Sequence, residues 1–184
     1  QREIREHKPA KRGDLYSSDL NLFAYDNPTQ VVIAEIPLVK DPRRTADTLA
    51  PLLGTKASSL LEQLDHPGRR VVYLKSNVPE ETAEKIRKEK LPGIGFEASF
   101  QRVYPCGDLA PHVVGWAGPD GGKEGVELKL DKILKGKPGY LYGEVDAARR
   151  SLSRDAKFSE ENGSQSRPPE HGLNVTLTIH TGIQ

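Results

Sequence analysis

A chain of 184 residues accommodates one core of ordinary size or two small subdomains. Its 35% hydrophobic content against 29% charged residues, with only four Phe and one Trp, is low for a compact globule and points to an elongated module with thin layers. Lys and Arg number 27 and Asp and Glu 26, so the formal charge of +1 carries no nucleic-acid or membrane-surface signature.

No apolar run approaches the ~18–20 residues of a membrane-spanning helix, and no signal peptide is evident. The single cysteine, Cys106, cannot form an internal disulfide and reads as a small corner filler. The polar opening QREIREHKPAKRG is compatible with a start behind a removed segment.

Residues 1–12 are charged and aperiodic, and an extended or frayed arm is expected. From 13 to 36 the pattern is that of β structure: Leu20, Leu22 and Ala24 alternate with polar residues, Asp26-Asn27-Pro28 suggests a turn, and VVIAEI is β-branched. Residues 41–53 predict a helix with Asp41 as N-cap, Pro42 at the first position and Gly54 as stop. Its buried stripe is Ala46, Leu49, Ala50 and Leu53. A second helix follows, with Thr55 as cap and Ala57, Leu60, Leu61 and Leu64 facing inward. Two short amphipathic helices need a third element to cover them. The strand RRVVYLK at 69–75 supplies it, together with a helix from about Pro79 to Lys90 whose inner face is Ala83, Ile86 and Leu91. Ile94, Phe96, Ala98 and Phe100 then alternate with polar residues or glycine, as in a strand wet on one face. Gly93 and Gly95 precede that strand, which is the wrong side for a dinucleotide phosphate site.

The stretch from Arg102 to Gly139 is the densest in turn chemistry, with glycines at 107, 115, 118, 121, 122, 125, 136 and 139. Asp108 is placed to cap a short helix holding Leu109, Val113 and Trp116. Val126, Leu130, Ile133 and Leu134 form the stripe of a second helix. His112 falls on or near the apolar face, has no second His at i+4, and reads as a hydrogen-bonded structural residue. The other four histidines, at 7, 66, 171 and 180, are isolated. Glu127 and Asp131, one turn apart and near Arg102, suit a structural ion pair more than acid–base catalysis. GYLYGEVD at 139–146 and LNVTLTI at 173–179 read as strands, with 153–171 a polar loop between them. No catalytic, cofactor or metal residues are expected.

Several of these residues stand at the spacing of a known pattern. Arg102, Tyr104-Pro105-Cys106-Gly107, His112 with Gly115, Gly125-Val126-Glu127, and Leu130-Asp131 through Leu134 and Gly136 together resemble the pedestal ("dimerisation") region of class B penicillin-binding proteins. Arg12-Gly13-Asp14-Leu15-Tyr16 resembles the first half of a second family motif, but Ser17, Ser18 and Leu20 stand where the family has Asp, Arg and Gly. Asp146 and Ala147 open a third motif, in which Arg149 replaces a glycine and Arg150 is retained. Leu177-Thr178-Ile179-His180-Thr181-Gly182-Ile183-Gln184 matches the run that opens the family's transpeptidase domain, except at His180.

The resemblance implies an α+β fold, an elongated pedestal with twisted antiparallel strands. Within a single module spanning 1–184 it implies a helical head at 41–92, a strand–helix hub at 93–152, and a strand at 172–184 leading into a transpeptidase domain. It further implies a division-type peptidoglycan D,D-transpeptidase as the parent, because the interval from His112 to Glu127 is short. Arg12, Gly13, Arg102, Tyr104, Pro105, Gly107, His112, Gly115, Gly125, Glu127, Asp131 and Gly136 are then structural or interaction residues. The implied location is the extracytoplasmic, periplasmic side of the cytoplasmic membrane, held by an upstream helix. The implied partners are a membrane-embedded glycosyltransferase, division or elongation proteins, a transpeptidase domain in cis and a second copy, with no nucleic acid. The transpeptidase motifs are not met: Ser153 to Lys157 is one residue too long for Ser-x-x-Lys, Ser76-Asn77 lacks the middle residue of Ser-x-Asn, and His180-Thr181-Gly182 has His for the lysine of Lys-Thr-Gly. The chain is therefore expected to be non-catalytic. A free-standing adaptor with the pedestal fold is the alternative.

Overall fold

The computed structural model describes residues 2–66, 68–106, 111–145 and 167–180. In chain order the elements are β1 (Arg2–Lys8), β2 (Leu15–Tyr16), β3 (Leu22–Glu35), α1 (Pro42–Leu53), α2 (Ala57–Leu64), β4 (Val71–Val78), α3 (Glu80–Lys88), β5 (Ile94–Val103), α4 (Pro111–Val114), β6 (Ala117–Gly118), β7 (Gly121–Gly122), α5 (Gly125–Lys129), α6 (Asp131–Leu134), β8 (Gly139–Val145) and β9 (Val175–Thr176). The chain divides into two units, one of 27–101 and the other of 1–26 with 102–184, and β3 and β5 each carry the chain from one to the other.

The unit of 27–101 is three helices on one face of a sheet. Asp41 caps α1 by accepting the Arg44 N–H at 3.0 Å, and Gly54 ends it at φ 59°, a left-handed value that glycine adopts without strain. Thr55 does not cap α2; that position falls to Lys56, which makes no side-chain cap bond. Along β4 burial alternates, with Val72 and Leu74 inward and Val71 and Tyr73 outward, because successive side chains leave opposite faces of a strand. Those inward residues join Val32 and Ala34 of β3, the α1 stripe, Leu60 and Leu64 of α2, and Ala83 and Ile86 of α3 in one core. Each fully buried leucine or isoleucine there contributes about 1.5–3 kcal/mol of burial. β4 pairs antiparallel with β3, and β5 also pairs with β3. The expected wet-and-dry alternation of β5 is not clean, since Ala98 is exposed and Ser99 is half-buried.

The second unit departs more from the sequence expectations. The charged arm is strand β1, paired antiparallel with β8 from Arg2 opposite Val145 to Lys8 opposite Gly139. Charge alone does not oppose a strand when a second strand satisfies its backbone groups. The expected turn at Asp26 to Pro28 lies inside β3: residues 22–24 of β3 pair with β2 and residues 30–35 with β4, so exposed Pro28 falls in the interval where no ladder bond to either is required. β9 is shorter than expected and runs parallel to β2, with Leu15 opposite Val175. The core of this unit is Leu15, Phe23, Ala24, Val114 and Leu134, joined by Val175, Leu177 and Ile179.

The single helix expected over 126–134 is two short ones, broken at Leu130. The break has a cause. The Glu127 carbonyl, which a continuous helix would offer to the residue 131 N–H, instead accepts from Arg12 Nη2 at 2.8 Å. As a result Ile133 is exposed while Leu134 is fully buried. In α4 the buried residue is Val114; Val113 is exposed, as is Trp116 beyond the end of α4, and Asp108 and Leu109 lie outside the described residues. Most of the polar stretch 153–171 also lies outside them, as do Asp146, Ala147, Arg149 and Arg150. Its end is tied down: Tyr140 bridges Arg167 and Lys137 bridges Glu170.

Candidate functional site

The most highly organised constellation is a buried ion cluster in the unit of 1–26 and 102–184. It joins two guanidinium groups, Arg12 and Arg102, to three carboxylates, Asp26, Glu127 and Asp131. Glu127 sits at its centre and is fully buried. Its Oε2 accepts from Arg12 Nε at 2.6 Å, and its Oε1 from Arg102 Nε at 2.8 Å and the Tyr104 hydroxyl at 3.3 Å. A carboxylate removed from water is tolerated only when such partners replace its hydration.

Every side-chain nitrogen of Arg12 donates. Besides the Nε bond, Nη2 donates to the Glu127 carbonyl, Nη1 donates to Asp131 Oδ1 at 2.6 Å, and its backbone N–H donates to Asp26 Oδ2 at 2.7 Å. Arg102 spans the other side, with Nη1 donating to Asp26 Oδ1 at 3.1 Å, and its Nη2 has no hydrogen-bond partner among the described residues. The planar fork of arginine suits this bridging role; a lysine offers one point of charge. Asp131 Oδ1 also accepts the Gly122 N–H at 2.7 Å. Burial pushes the Asp131 carboxyl up, but the Gly122 N–H and the Arg12 guanidinium outweigh it and hold Asp131 below the usual aspartate range. Burial likewise opposes the charge on Arg12, and its bonds to Asp131 and Glu127 reverse that effect and raise it. Burial first, and the Glu127 charge second, push the Tyr104 phenol up, so it stays protonated; its oxygen accepts the Ala117 N–H at 2.8 Å.

Tight glycine packing frames the cluster. Gly115, at φ 71°, and Gly125, at φ 59°, meet back to back: a Cβ on Gly115 would lie 2.0 Å from the Glu124 carbonyl oxygen, and one on Gly125 2.7 Å from the Gly115 nitrogen. Gly13 donates its N–H to the Leu134 carbonyl, and a Cβ there would lie 1.9 Å from the Leu173 carbonyl oxygen. Gly136 lies against the Glu170 carbonyl.

Of the residues singled out in the sequence, the structure thus brings together Arg12, Arg102, Tyr104, Glu127 and Asp131, with Gly13, Gly115, Gly125 and Gly136 in close backbone packing. Pro105 is exposed, and Gly107 lies outside the described residues. His112 is exposed and makes no contact with the cluster, so the expectation that it lies on the apolar face fails: α4 turns Val114 inward, two residues on. Two histidines read as isolated have partners. His171 Nδ1 accepts the Lys11 N–H at 3.0 Å, and His180 Nδ1 lies 3.9 Å from Asp19. Asp26 was missed. A signal existed, since Asp26 shares the inward period of Ala24 in β3, and an acid at an inward strand position calls for a buried cation. Among the described residues no group of three or more His, Cys, Asp or Glu is arranged to hold a metal ion.

The arrangement is that of a mixed α/β pedestal fold cross-tied by buried ion pairs. Penicillin binding protein 2X from Streptococcus thermophilus superposes with a TM-score of 0.64 at 23% identity, over 98% of this chain and 30% of that one. The structure of the complex between penicillin-binding protein PBP2 and MreC from Helicobacter pylori gives 0.69 at 18% identity, over 97% of this chain and 36% of that one. The family model of the penicillin-binding protein dimerisation domain matches residues 7–167, and the chain belongs to that family. Among its relatives, the probable peptidoglycan D,D-transpeptidase PenA of Neisseria gonorrhoeae is 27% identical over 180 residues, 96% of this chain and 30% of the relative. The peptidoglycan D,D-transpeptidase FtsI of Escherichia coli strain K12 is 33% identical over 157 residues, 78% of this chain and 25% of the relative. The chain therefore spans 25–30% of the length of these relatives.

Proposed function

We propose that this chain is the non-catalytic pedestal of a bacterial peptidoglycan D,D-transpeptidase of the division type, and that it sets the height and orientation of a transpeptidase domain in cis. The observation that carries this reading is the internal pairing of the carboxylates of the ion cluster. Every carboxylate in it already accepts from an arginine or a backbone N–H, so its charges hold backbone segments together and leave no general base or nucleophile facing a substrate. The Arg12, Gly13, Arg102, Tyr104, Gly115, Gly125, Glu127, Asp131 and Gly136 set is then structural, with the helical head of 41–92 presenting the recognition surface. Pro105, Gly107 and His112 are carried in the same set as interaction residues.

Such a pedestal works on the extracytoplasmic face of the cytoplasmic membrane, anchored by a helix upstream of this chain. Its partners are a membrane-embedded glycosyltransferase and division or elongation proteins; the PBP2 structure solved with MreC supports that kind of contact. A homodimer is a further assembly of such a pedestal.

Fluorescent penicillin tests the reading. Covalent labelling requires the Ser-x-x-Lys nucleophile, so this chain should stay unlabelled while the product of its full gene labels. Labelling of the chain itself would overturn the proposal. A gene whose full product never labels would point to the free-standing adaptor.

A further inference from the structure

β4 stands at one end of the strand order β4–β3–β2–β9, so one of its edges is unpaired among the described residues. An unpaired edge is a row of unsatisfied N–H and C=O groups, which proteins blunt with bulges, inward charges or short strands. Here the blunting is confined to one end. Register shifts fall opposite Tyr73 to Val78, so Leu74 is already out of regular pairing, and Asn77 takes φ 56°. Val71, Val72 and Tyr73 run in regular pairing with Glu35, Ala34 and Ile33. That regular stretch carries the exposed apolar side chains, Val71 at 40% and Tyr73 at 62% of full exposure.

The charge within the segment itself is one-sided. Arg69 and Arg70 precede the strand, are exposed, and make no ion pair among the described residues, and no Asp or Glu occurs from 66 to 79. Lys75 at the far end is turned toward the Leu53 carbonyl, 2.6 Å away. The closest acid in register, Glu35, is on β3, across the strand from the open edge. The open edge is therefore apolar and regular along 71–73 and basic at its entrance.

We propose that the β4 edge is a docking site for an extended segment of a protein partner, which adds a strand beside Val71–Tyr73 and places acidic residues against Arg69 and Arg70. Main-chain hydrogen bonds supply the affinity, and the position of the acids supplies the direction of binding. The inference rests on the scaffold function proposed above and names the surface and the partner chemistry. An acidic tail reads the two arginines; alternate β-branched side chains cover Val71 and Tyr73.

The test uses two acetylated peptides, Thr-Val-Thr-Val-Glu-Asp and its reverse, titrated into the isotope-labelled chain. One of them should give saturable shifts confined to β4 and slowed amide exchange within 71–73. Its affinity should fall at least about tenfold between low and physiological salt, and by a similar factor in the Arg69→Glu, Arg70→Glu double variant. The unfolding midpoint of that variant should match the parent, as both side chains are exposed. Three results would overturn the proposal: no saturable shift with either peptide, equal binding of peptides carrying Lys-Lys in place of the acids, or protection within 71–73 in the chain alone with concentration-dependent dimerisation. The last outcome would assign the edge to a second copy. A null titration with an unlabelled chain in the penicillin test sinks only the docking site; labelling of the chain sinks the scaffold function whatever the peptides do.

Discussion

Replacing Glu127 by Ala removes the carboxylate that both arginines share. Arg12 Nε and Arg102 Nε would then lie without their carboxylate acceptors in a site from which water is excluded, while Arg12 keeps Asp131 and Arg102 keeps Asp26. Removing one partner of a buried ion pair destabilises by about 3–5 kcal/mol, mostly because the surviving charge is left uncompensated. For a chain of this length each kcal/mol corresponds to about 2–4 °C, so the expected fall in Tm is about 6–20 °C. Urea unfolding followed by circular dichroism, with Tm from the same samples, provides the measurement. A loss below about 1 kcal/mol would refute the reasoning, because it would mean that the arginines find water or other acceptors when Glu127 is gone. A double-mutant cycle with Arg102→Met sharpens the assignment: the two losses should fall well short of adding, since both remove the same contact.

The two arginines differ in how fully they are used, and Arg12→Lys should cost more than Arg102→Lys in the same unfolding assay. Arg12 donates from all three side-chain nitrogens, whereas Arg102 Nη2 has no partner among the described residues. Acid should weaken the fold through Asp131. Its folded-state value lies below the ordinary 3.8, so its contribution is fully present above that pH and is lost as pH falls through the lower value. The gap in urea midpoint between the parent and Asp131→Asn should therefore be constant from pH 7 to about pH 5 and close on further acidification. Leu20→Gly should stabilise by about 1 kcal/mol, because Leu20 holds φ 61° after the turn closed by its N–H and the Ser17 carbonyl, where a side chain is strained. A fall in Tm there would show that the exposed leucine contributes contacts that offset the strain.

Local chemistry was readable in the unit of 27–101. Asp41, Pro42 and Gly54 set the ends of α1, and the stripes of α1 and α3 are visible at helical spacing, because those signals depend only on near neighbours. The ion cluster was half readable. Glu127, Asp131 and Arg102 suggested a structural pair, and the family resemblance added Arg12, but the fifth member, Asp26, lies on a strand 76 residues from Arg102. Asp26 was lost to a turn signal because Asp-Asn-Pro is strong locally, and pairing of β3 on both sides of Pro28 overrides it. The break at Leu130 was equally hidden: nothing near Glu127 in sequence announces that its carbonyl belongs to Arg12. The charged strand β1 is the same case, as only its register with β8 makes a strand of it.

The two units also differ in when they can form. Residues 27–101 are contiguous, so their core is complete as soon as that stretch has been made. The other unit is sewn from the two ends: Lys11 meets His171 and Asp14 meets Asn174 across separations of 160 residues. At synthesis rates of about 5–20 residues per second, Lys11 and Asp14 wait about 8–32 s for these C-terminal partners. The head can be native while the segment that holds Arg12 is still open, and truncation before residue 170 should leave the 27–101 core folded and the discontinuous unit unclosed.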